Sequence, residues 1–550
     1  MKRLDLIVAV LLSAANGSAQ TALFDWTGAA AGDNFGTETC SPGDLNGDGI
    51  GDFVFKESAG VGVFALKARS GFDGSPLWTS PAYQVVSDLQ RTGDVNGDGV
   101  GDIVARAGNP PPSLIIFPAV MFSGLDGSVI WTANTFTAPS GQIILLDMRP
   151  KGAGYDYNGD GVPDILIEGS TTAVIGTHYA VVISGTNGAS IGGVQVASSG
   201  FGIAYRAFYL PDISGDGLAE FALSYVVGST VSFYGAPGAT LRLTKSQPNP
   251  SGIQLRFGLF VGTPGDVDFD GIAEFAISRH PTTTSGGPPP PPPETAFYFG
   301  GSYASLGLIG FGTIGAGGDI EPLGDVDGDG APDMALFIPP IHPVLPPLSP
   351  TGATIYSGGT GAVINAFTPP TVAEPVLILA GPDVNADGRA EYLLIDPLSD
   401  LGGVDAGRVR TFSATAVPAA TSAAIGPTCP TSLGGLFTAA APIMGSNAVL
   451  SLANAVPNVS GNLAIDPAPP VSTPLDPAIG CDFRLDVSHI SQWILVPIAT
   501  DGAGAFSFGF PVPAVPILAG LPITMQVVLF GTANGYGFAT SNGVVASLGY

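Results

Sequence analysis

Gly93-Asp94-Val95-Asn96-Gly97-Asp98-Gly99-Val100-Gly101-Asp102-Ile103-Val104 is the stretch on which the fold of this 550-residue chain turns. Oxygen-bearing side chains stand at positions 1, 3, 5 and 9 of a nine-residue loop: Asp94, Asn96, Asp98 and Asp102. Gly99 holds position 6, where a sharp turn takes positive φ. Val100 at position 7 can offer only its carbonyl. Three carboxylates this close repel one another unless a cation lies between them. Hard oxygen donors at this spacing suit Ca²⁺. The apolar run Ile103-Val104-Ala105 follows at once and reads as a buried strand.

The phrase recurs seven times, at intervals of 50 to 62 residues. The side chains at positions 1, 3, 5 and 9 and the carbonyl at position 7 are the expected ligands in each copy. They are Asp44, Asn46, Asp48, Ile50 and Asp52 in the first loop, and Asp94, Asn96, Asp98, Val100 and Asp102 in the second. The third has Asp156, Asn158, Asp160, Val162 and Asp164, and the fourth Asp212, Ser214, Asp216, Leu218 and Glu220. The fifth has Asp266, Asp268, Asp270, Ile272 and Glu274, and the sixth Asp325, Asp327, Asp329, Ala331 and Asp333. The seventh has Asp383, Asn385, Asp387, Arg389 and Glu391. Position 6 is glycine and position 9 a carboxylate in every copy. A single copy could be an ordinary Asp-Gly turn; seven in register argue for seven metal loops. Ser214 at position 3 and Ala386 at position 4 mark the fourth and seventh as weaker sites. An EF-hand is excluded, because it needs a glutamate at position 12. Here that position holds Phe55, Ala105, Ile167, Leu223, Ile277, Leu336 and Leu394.

Composition agrees with a turn-rich β protein. There are 79 glycines and 50 prolines beside a 45% hydrophobic content, and no long stretch has helical periodicity. About half of the 45 acidic residues lie in the loops, so much of the net charge of −27 is metal-site acidity. That charge makes nucleic acid an unsuitable partner, since phosphate selects Lys and Arg clusters.

Residues 1–19 read as a secretory signal: Lys2 and Arg3, an apolar core over Leu6–Leu12, and Gly17-Ser18-Ala19 before cleavage at Gln20. The apolar core is too short to span a bilayer, and no later stretch reads as a transmembrane helix. The expected location is extracellular or at the cell surface. In residues 20–417 each loop is followed by its own strand and two more, and a further apolar strand precedes the next loop, as at Ile143-Ile144-Leu145-Leu146. Four strands per unit describe a propeller blade. Leu23-Phe24-Asp25-Trp26-Thr27 precedes any loop and ends in the Trp-Thr seen at Trp78-Thr79 and Trp131-Thr132. The last unit, ending at Arg408–Phe412, lacks such a strand, so the two ends are expected to complete one blade and close the ring.

These units resemble FG-GAP repeats, the building blocks of the seven-bladed β-propeller of integrin α subunits, over about residues 22–417. Phe35-Gly36, Phe201-Gly202, Phe257-Gly258 and Phe311-Gly312 carry the Phe-Gly half of the motif. The resemblance implies that each Ca²⁺ loop joins strands 1 and 2 on one face. It also implies that the 2–3 and 4–1 connections form the opposite, ligand-binding face. The proline-rich segments 110–112, 288–293 and 339–350 fall in 2–3 connections and read as rigid spacers. Residues 418–427 read as a linker. Residues 428–550 read as a small β-sandwich with strands at Ala448–Leu452, Phe483–Val487, Trp493–Pro497, Ala505–Phe510 and Thr524–Phe530. With Cys429-Pro430, Gly480-Cys481 and Ser541-Asn542 it resembles a C-terminal module of many secreted bacterial proteins.

Cys429 and Cys481 share that domain and could form a disulfide; Cys40 is left as a buried thiol. His178, His280, His342 and His489 show no ligand spacing, and no nucleophile elbow, phosphate loop or zinc pattern is present. Two function classes follow. One is a calcium-stabilised binding or adhesion propeller for an extracellular protein or glycan. The other is a polysaccharide lyase or hydrolase on the same scaffold. The 18 Lys and Arg in the whole chain favour binding.

Overall fold

The structure is a computed structural model. It describes residues 22–109, 117–137, 143–145, 147–170, 177–197, 205–226, 228–249, 253–279, 282–283, 294–304, 319–337, 353–367, 377–413, 420–429, 434–476, 481–513, 515–532 and 537–549. The expected signal segment, the three proline runs, His280 and His342 lie outside these residues.

Phe24–Ala414 form one compact unit. Among the described residues it holds seven antiparallel sheets of three or four strands, each running strand to neighbouring strand, and two two-stranded ones, Thr135–Thr137 with Ile143–Leu145 and Ile253–Gln254 with Thr282–Thr283. The first sheet is Thr39–Gly43, Asp52–Gly60, Val63–Arg69 and Pro76–Thr79; the second is Val85–Arg91, Ile103–Gly108, Ala119–Phe122 and Val129–Ala133. The third is Asp147–Tyr155, Asp164–Ser170, Thr177–Ile183 and Ser190–Ala197; the fourth is Tyr205–Leu210, Glu220–Tyr225, Thr230–Gly235 and Thr240–Ser246. The fifth has Val261–Gly265, Glu274–Arg279 and Glu294–Tyr298 among the described residues; the sixth is Asp319–Gly324, Asp333–Phe337, Ala353–Tyr356 and Val363–Phe367. The seventh is Leu377–Ala380, Tyr392–Asp396, Arg408–Phe412 and the N-terminal Phe24–Thr27.

The first strand of each sheet lies against the first strand of the next, and Leu377–Ala380 returns to Thr39–Gly43. The sheets thus close a ring, the arrangement of a β-propeller. The apolar triplets after each loop form second strands buried on both faces, which is why they do not alternate. Val104 packs with Met148, Ile165 and Val181 of the third sheet. Its neighbours Ile103 and Ala105 pack with Val54 and Leu66 of the first. The two described Phe-Gly pairs serve these seams. A Cβ on Gly36 would strike Val409 and Ile395 of the seventh sheet, and one on Gly258 would strike Ser224 and Val231 of the fourth.

The ring closes where the sequence placed the closure. Phe24 pairs with Thr411, Trp26 with Val409 and Thr27 with Arg408, and Arg408 forms an ion pair with Asp25. Trp26 then packs edge-on against Phe53 and Phe55 of the first sheet. Trp78 and Trp131 bridge the next two seams, each donating its indole N–H to the following sheet, at Gly124 O (2.6 Å) and Gly185 O (2.7 Å). Trp26 is half-buried, so Trp26→Ala should cost about 2–3 kcal/mol, below the range for a fully buried tryptophan, with faster amide exchange over 408–412 before the rest of the ring. Uniform exchange protection in that variant would contradict a closing role.

One expected strand is placed differently. Ile143–Leu145 pairs with Thr135–Thr137 in a separate hairpin, and Asp147–Tyr155 is the strand that enters the third loop. Apolar content alone did not distinguish the two.

Thr415–Tyr550 belong to a second unit. A five-stranded sheet, ordered Thr421–Ile425, Phe538–Ser547, Pro522–Phe530, Ser460–Asp466 and Ile494–Ala499, shares a core with a three-stranded one, Gly434–Ala439, Asn447–Ala455 and Phe506–Pro511. Thr421–Ile425 was expected to be linker. It is instead an edge strand on Gly543–Ser547; its largely exposed Thr, Ser and Ala side chains carry no apolar signal. Phe483–Val487, expected as a strand, runs from the end of Cys481–Phe483 into a short 3₁₀ turn at Val487–His489. Cys429 is disulfide-bonded, while the side chain of Cys481, its expected partner, lies outside the described residues. Asn542 ties Phe437 from both sides, accepting its N–H (2.7 Å) and donating to its carbonyl (2.9 Å).

Candidate metal centres

Each loop is wound around its position-1 aspartate. The position-6 N–H donates to that carboxylate in all seven, for example Gly49 to Asp44 (2.8 Å) and Gly388 to Asp383 (2.8 Å). Position 6 has φ between 82° and 90°, with nothing within 4 Å of a Cβ built there. Backbone strain, not lack of space, demands glycine at this position. Position 4 is also left-handed. Five loops have glycine there, and its N–H also bonds the position-1 carboxylate. Phe269 (φ 61°) and Ala386 (φ 55°) hold it in the fifth and seventh, and neither makes that bond among the described residues. A side chain in this conformation costs roughly 1–2 kcal/mol. The sequence marks the seventh loop as weaker through Ala386; it gives no such mark to the fifth, where Phe269 takes the same conformation. The position-7 residues Ile50, Val100, Val162, Leu218, Ile272, Ala331 and Arg389 each donate their N–H to the position-5 carboxylate.

Position 9 anchors the loop. Asp52, Asp102, Asp164, Glu220, Glu274, Asp333 and Glu391 are all buried, at no more than 1% exposed. One carboxylate oxygen of each accepts the position-2 N–H at 2.6–2.9 Å. The other oxygen divides the loops into two kinds. In the four with aspartate it accepts from a distant glycine: Gly71, Gly124, Gly185 or Gly358, at 2.8–3.1 Å. Each of these glycines follows a serine in the turn after the third strand. A Cβ on any of them would lie 1.9 Å from the position-8 carbonyl, so only glycine lets the turn approach closely enough for aspartate to reach it. In the three glutamate loops the residues that stand where this serine stands are Gly235, Phe299 and Ser413, and no Ser-Gly turn is present. Oε1 of Glu220, Glu274 and Glu391 is buried without a well-formed hydrogen bond among the described residues, although the Ser214 hydroxyl, the Gly300 N–H and the Ser413 hydroxyl lie close enough to these carboxylates to hold their pKa down against burial. The sequence held this signal, since the Ser-Gly turn accompanies aspartate and is missing where position 9 is glutamate. Its distance from the loop concealed the link.

Ligand atoms converge to within 4.8 Å in four loops: Asp212, Asp216 and Glu220; Asp266, Asp268 and Glu274; Asp325, Asp327 and Asp333; Asp383, Asp387 and Glu391. These groups could hold metal ions. Among the described residues the carboxylates of the first three loops do not close so tightly, and there position 3 supplies a neutral oxygen from Asn46, Asn96 or Asn158. Buried carboxylate oxygens converging inside an all-oxygen donor set are what a hard cation would satisfy.

Burial raises every position-9 carboxyl: to about 6 for Asp52, Asp102, Asp164 and Asp333, about 7 for Glu220 and Glu274, and about 9 for Glu391. In the unfolded chain these groups titrate near ~4. Above that pH the metal-free native state therefore holds more protons than the unfolded one, and its stability falls as pH rises through the folded values. Metal-free protein should melt at a lower temperature at pH 8 than at pH 5, as followed by circular dichroism in chelator. A melting temperature that rises over this range would contradict the burial argument.

Adjacent loops are joined. Ala219 N–H donates to Asp156 O, Ala273 to Asp212 O and Ala390 to Asp325 O, and Leu218 packs over Gly159 as Ile272 does over Gly215. Elsewhere in this unit several cations are already paired: Lys67 and Arg69 with Glu57, Arg106 and Arg149 with Asp147, and Lys151 with Asp88. Cys40 is free, and burial pushes its thiol up to about 12, which keeps it protonated at neutral pH. In the C-terminal unit His489 faces Asp466 and Asp486 at 3.8 and 3.9 Å.

No family model matches the chain, and no curated protein sequence does. Among the solved structures that align, three are of low similarity to this chain. A fungal alcohol oxidase of the AA5 family, in complex with copper, shares 9% identity over 96% of this chain and 99% of its own, with a TM-score of 0.36. The Cps50 (Swd1) β-propeller domain of Myceliophteria thermophila shares 11% over 69% and 97%, at 0.35. An α-L-arabinanase of Penicillium chrysogenum, complexed with arabinobiose, shares 8% over 64% and 98%, at 0.34. At these scores the likenesses bear on neither family nor activity. Among the described residues no helix is long and apolar enough to cross a membrane.

Proposed function

We propose that the chain is a secreted, calcium-stabilised, seven-bladed propeller of the FG-GAP type. On this reading it resembles the integrin α-subunit propeller, carries a C-terminal β-sandwich, and binds an extracellular protein or glycan. The observation that carries the proposal is the buried position-9 carboxylate, repeated in all seven loops and converging with two other carboxylates in four of them. A divalent ion held by positions 1, 3, 5 and 9 and the position-7 carbonyl would neutralise each cluster and lock the turn between the first two strands. Ca²⁺ suits the donors, which are oxygens on a flexible loop. The ion's role is structural, because the donor set is supplied by the chain itself. The ligand would then bind at the opposite face, formed by the 2–3 and 4–1 connections. The paired lysines and arginines favour a neutral or mixed-charge ligand over an anionic polymer. A glycan and extracellular-protein array probed with and without Ca²⁺ tests the reading. Calcium-dependent retention of a defined ligand is expected; turnover of an arrayed glycan would favour an enzyme instead.

A further inference from the structure

We infer that the fourth loop carries its own cation, the Arg242 guanidinium, in place of a metal ion. This rests on the calcium reading of the other loops and departs from it at one site. Arg242 lies on the outer strand Thr240–Ser246. Its Nη2 is 2.6 Å from Asp216 Oδ2, the position-5 carboxylate, and 2.6 Å from Ala236 O. A Cβ built on Gly235 would lie 2.7 Å from Arg242 Nε and 3.2 Å from Glu220 Oε1. Both atoms thus border the space that Gly235 leaves open, and the guanidinium's printed bonds are to Asp216 and Ala236 O.

Gly235 explains how this loop admits the guanidinium. The corresponding residue in the aspartate loops is Ser70, Ser123, Ser184 or Ser357. The Ser70 and Ser357 hydroxyls donate to the position-5 carboxylates Asp48 (3.5 Å) and Asp329 (3.1 Å). With glycine in that place the hydroxyl is gone and the space is open, and Arg242 fills both roles. No other described outer strand of the ring, Phe24–Thr27, Pro76–Thr79, Val129–Ala133, Ser190–Ala197 or Val363–Phe367, contains a lysine or arginine. Position 3 is weakened as well: Ser214 replaces the usual Asn or Asp, and its hydroxyl turns to Asp212 (3.5 Å). A fixed positive charge touching the donor set opposes a divalent ion directly, while it pairs with Asp216, one of the carboxylates that the ion would otherwise neutralise.

The test counts ions on the full-length chain, stripped with chelator, reloaded with Ca²⁺ and weighed by native mass spectrometry. Wild type should hold six ions and Arg242→Gln seven. Equal counts in the two proteins would overturn the inference. Six in both would leave calcium in the remaining loops standing, whereas none in either would remove the calcium reading together with the inference. If Arg242→Gln does not fold, anomalous scattering from wild-type crystals soaked in Tb³⁺ decides the matter. A peak beside Asp216 overturns the inference, and peaks in neighbouring loops with none there support it.

Discussion

Stripping divalent ions from the purified chain should lower its melting temperature on the order of 10 °C, the largest single effect anticipated. Extracellular calcium modules bind at ~10⁻⁴–10⁻³ M. At a free concentration about tenfold above Kd, each site adds roughly 1.4 kcal/mol by mass action. Six such sites add on the order of 8 kcal/mol, comparable to the net stability of a whole domain. The loss should be reversed by Ca²⁺. It should appear first as amide exchange at the turns between first and second strands, where the carboxylates of each loop are left facing one another. A melting temperature indifferent to chelator would show that hydrogen bonding alone carries the loops.

The second large effect separates the two jobs of the acidic residues. Asp102 is fully buried and accepts from Val95 N–H (2.9 Å) and Gly124 N–H (3.0 Å). Asp102→Ala would orphan both donors as well as remove a ligand, and should cost about 3–5 kcal/mol. Because the hydrogen bonds do not depend on an ion, most of that loss should persist in chelator. Asp98 is exposed, and its bonds are local: Oδ1 accepts the Val100 N–H (2.9 Å) and Oδ2 the Asn96 side-chain amide (2.9 Å). Asp98→Ala should therefore cost roughly 1–2 kcal/mol in Ca²⁺ and much less without it. Paired denaturant titrations with and without Ca²⁺ measure the difference. Equal losses for the two variants under both conditions would mean that position 9 is no more than another ligand.

The loops and the ring were legible in the sequence because both rest on local, repeated signals. Glycine at position 6, a carboxylate at position 9 and an apolar triplet after it recur within a dozen residues. The unmatched Trp26-Thr27 strand had a matching vacancy at the last unit. What escaped depends on partners far along the chain. The Gly124 amide reaches Asp102 across 22 residues, and Arg242 reaches Asp216 across 26. Thr421–Ile425 is a strand only because Gly543–Ser547 offers it an edge. Ile143–Leu145 has the composition of an inner strand, yet Asp147–Tyr155, with its charged and glycine residues, takes that place. Neither outcome follows from side-chain type alone, since strand position is decided by which neighbour supplies the ladder.

The central claim is that the loops are selective calcium sites, and calorimetric titration of the metal-stripped chain tests it most directly. Ca²⁺ should bind at several sites at ~10⁻⁴–10⁻³ M. Mg²⁺ should bind markedly more weakly, since it demands a near-ideal octahedron and gives up its waters reluctantly. No detectable Ca²⁺ binding, or equal binding of both ions, would contradict the account.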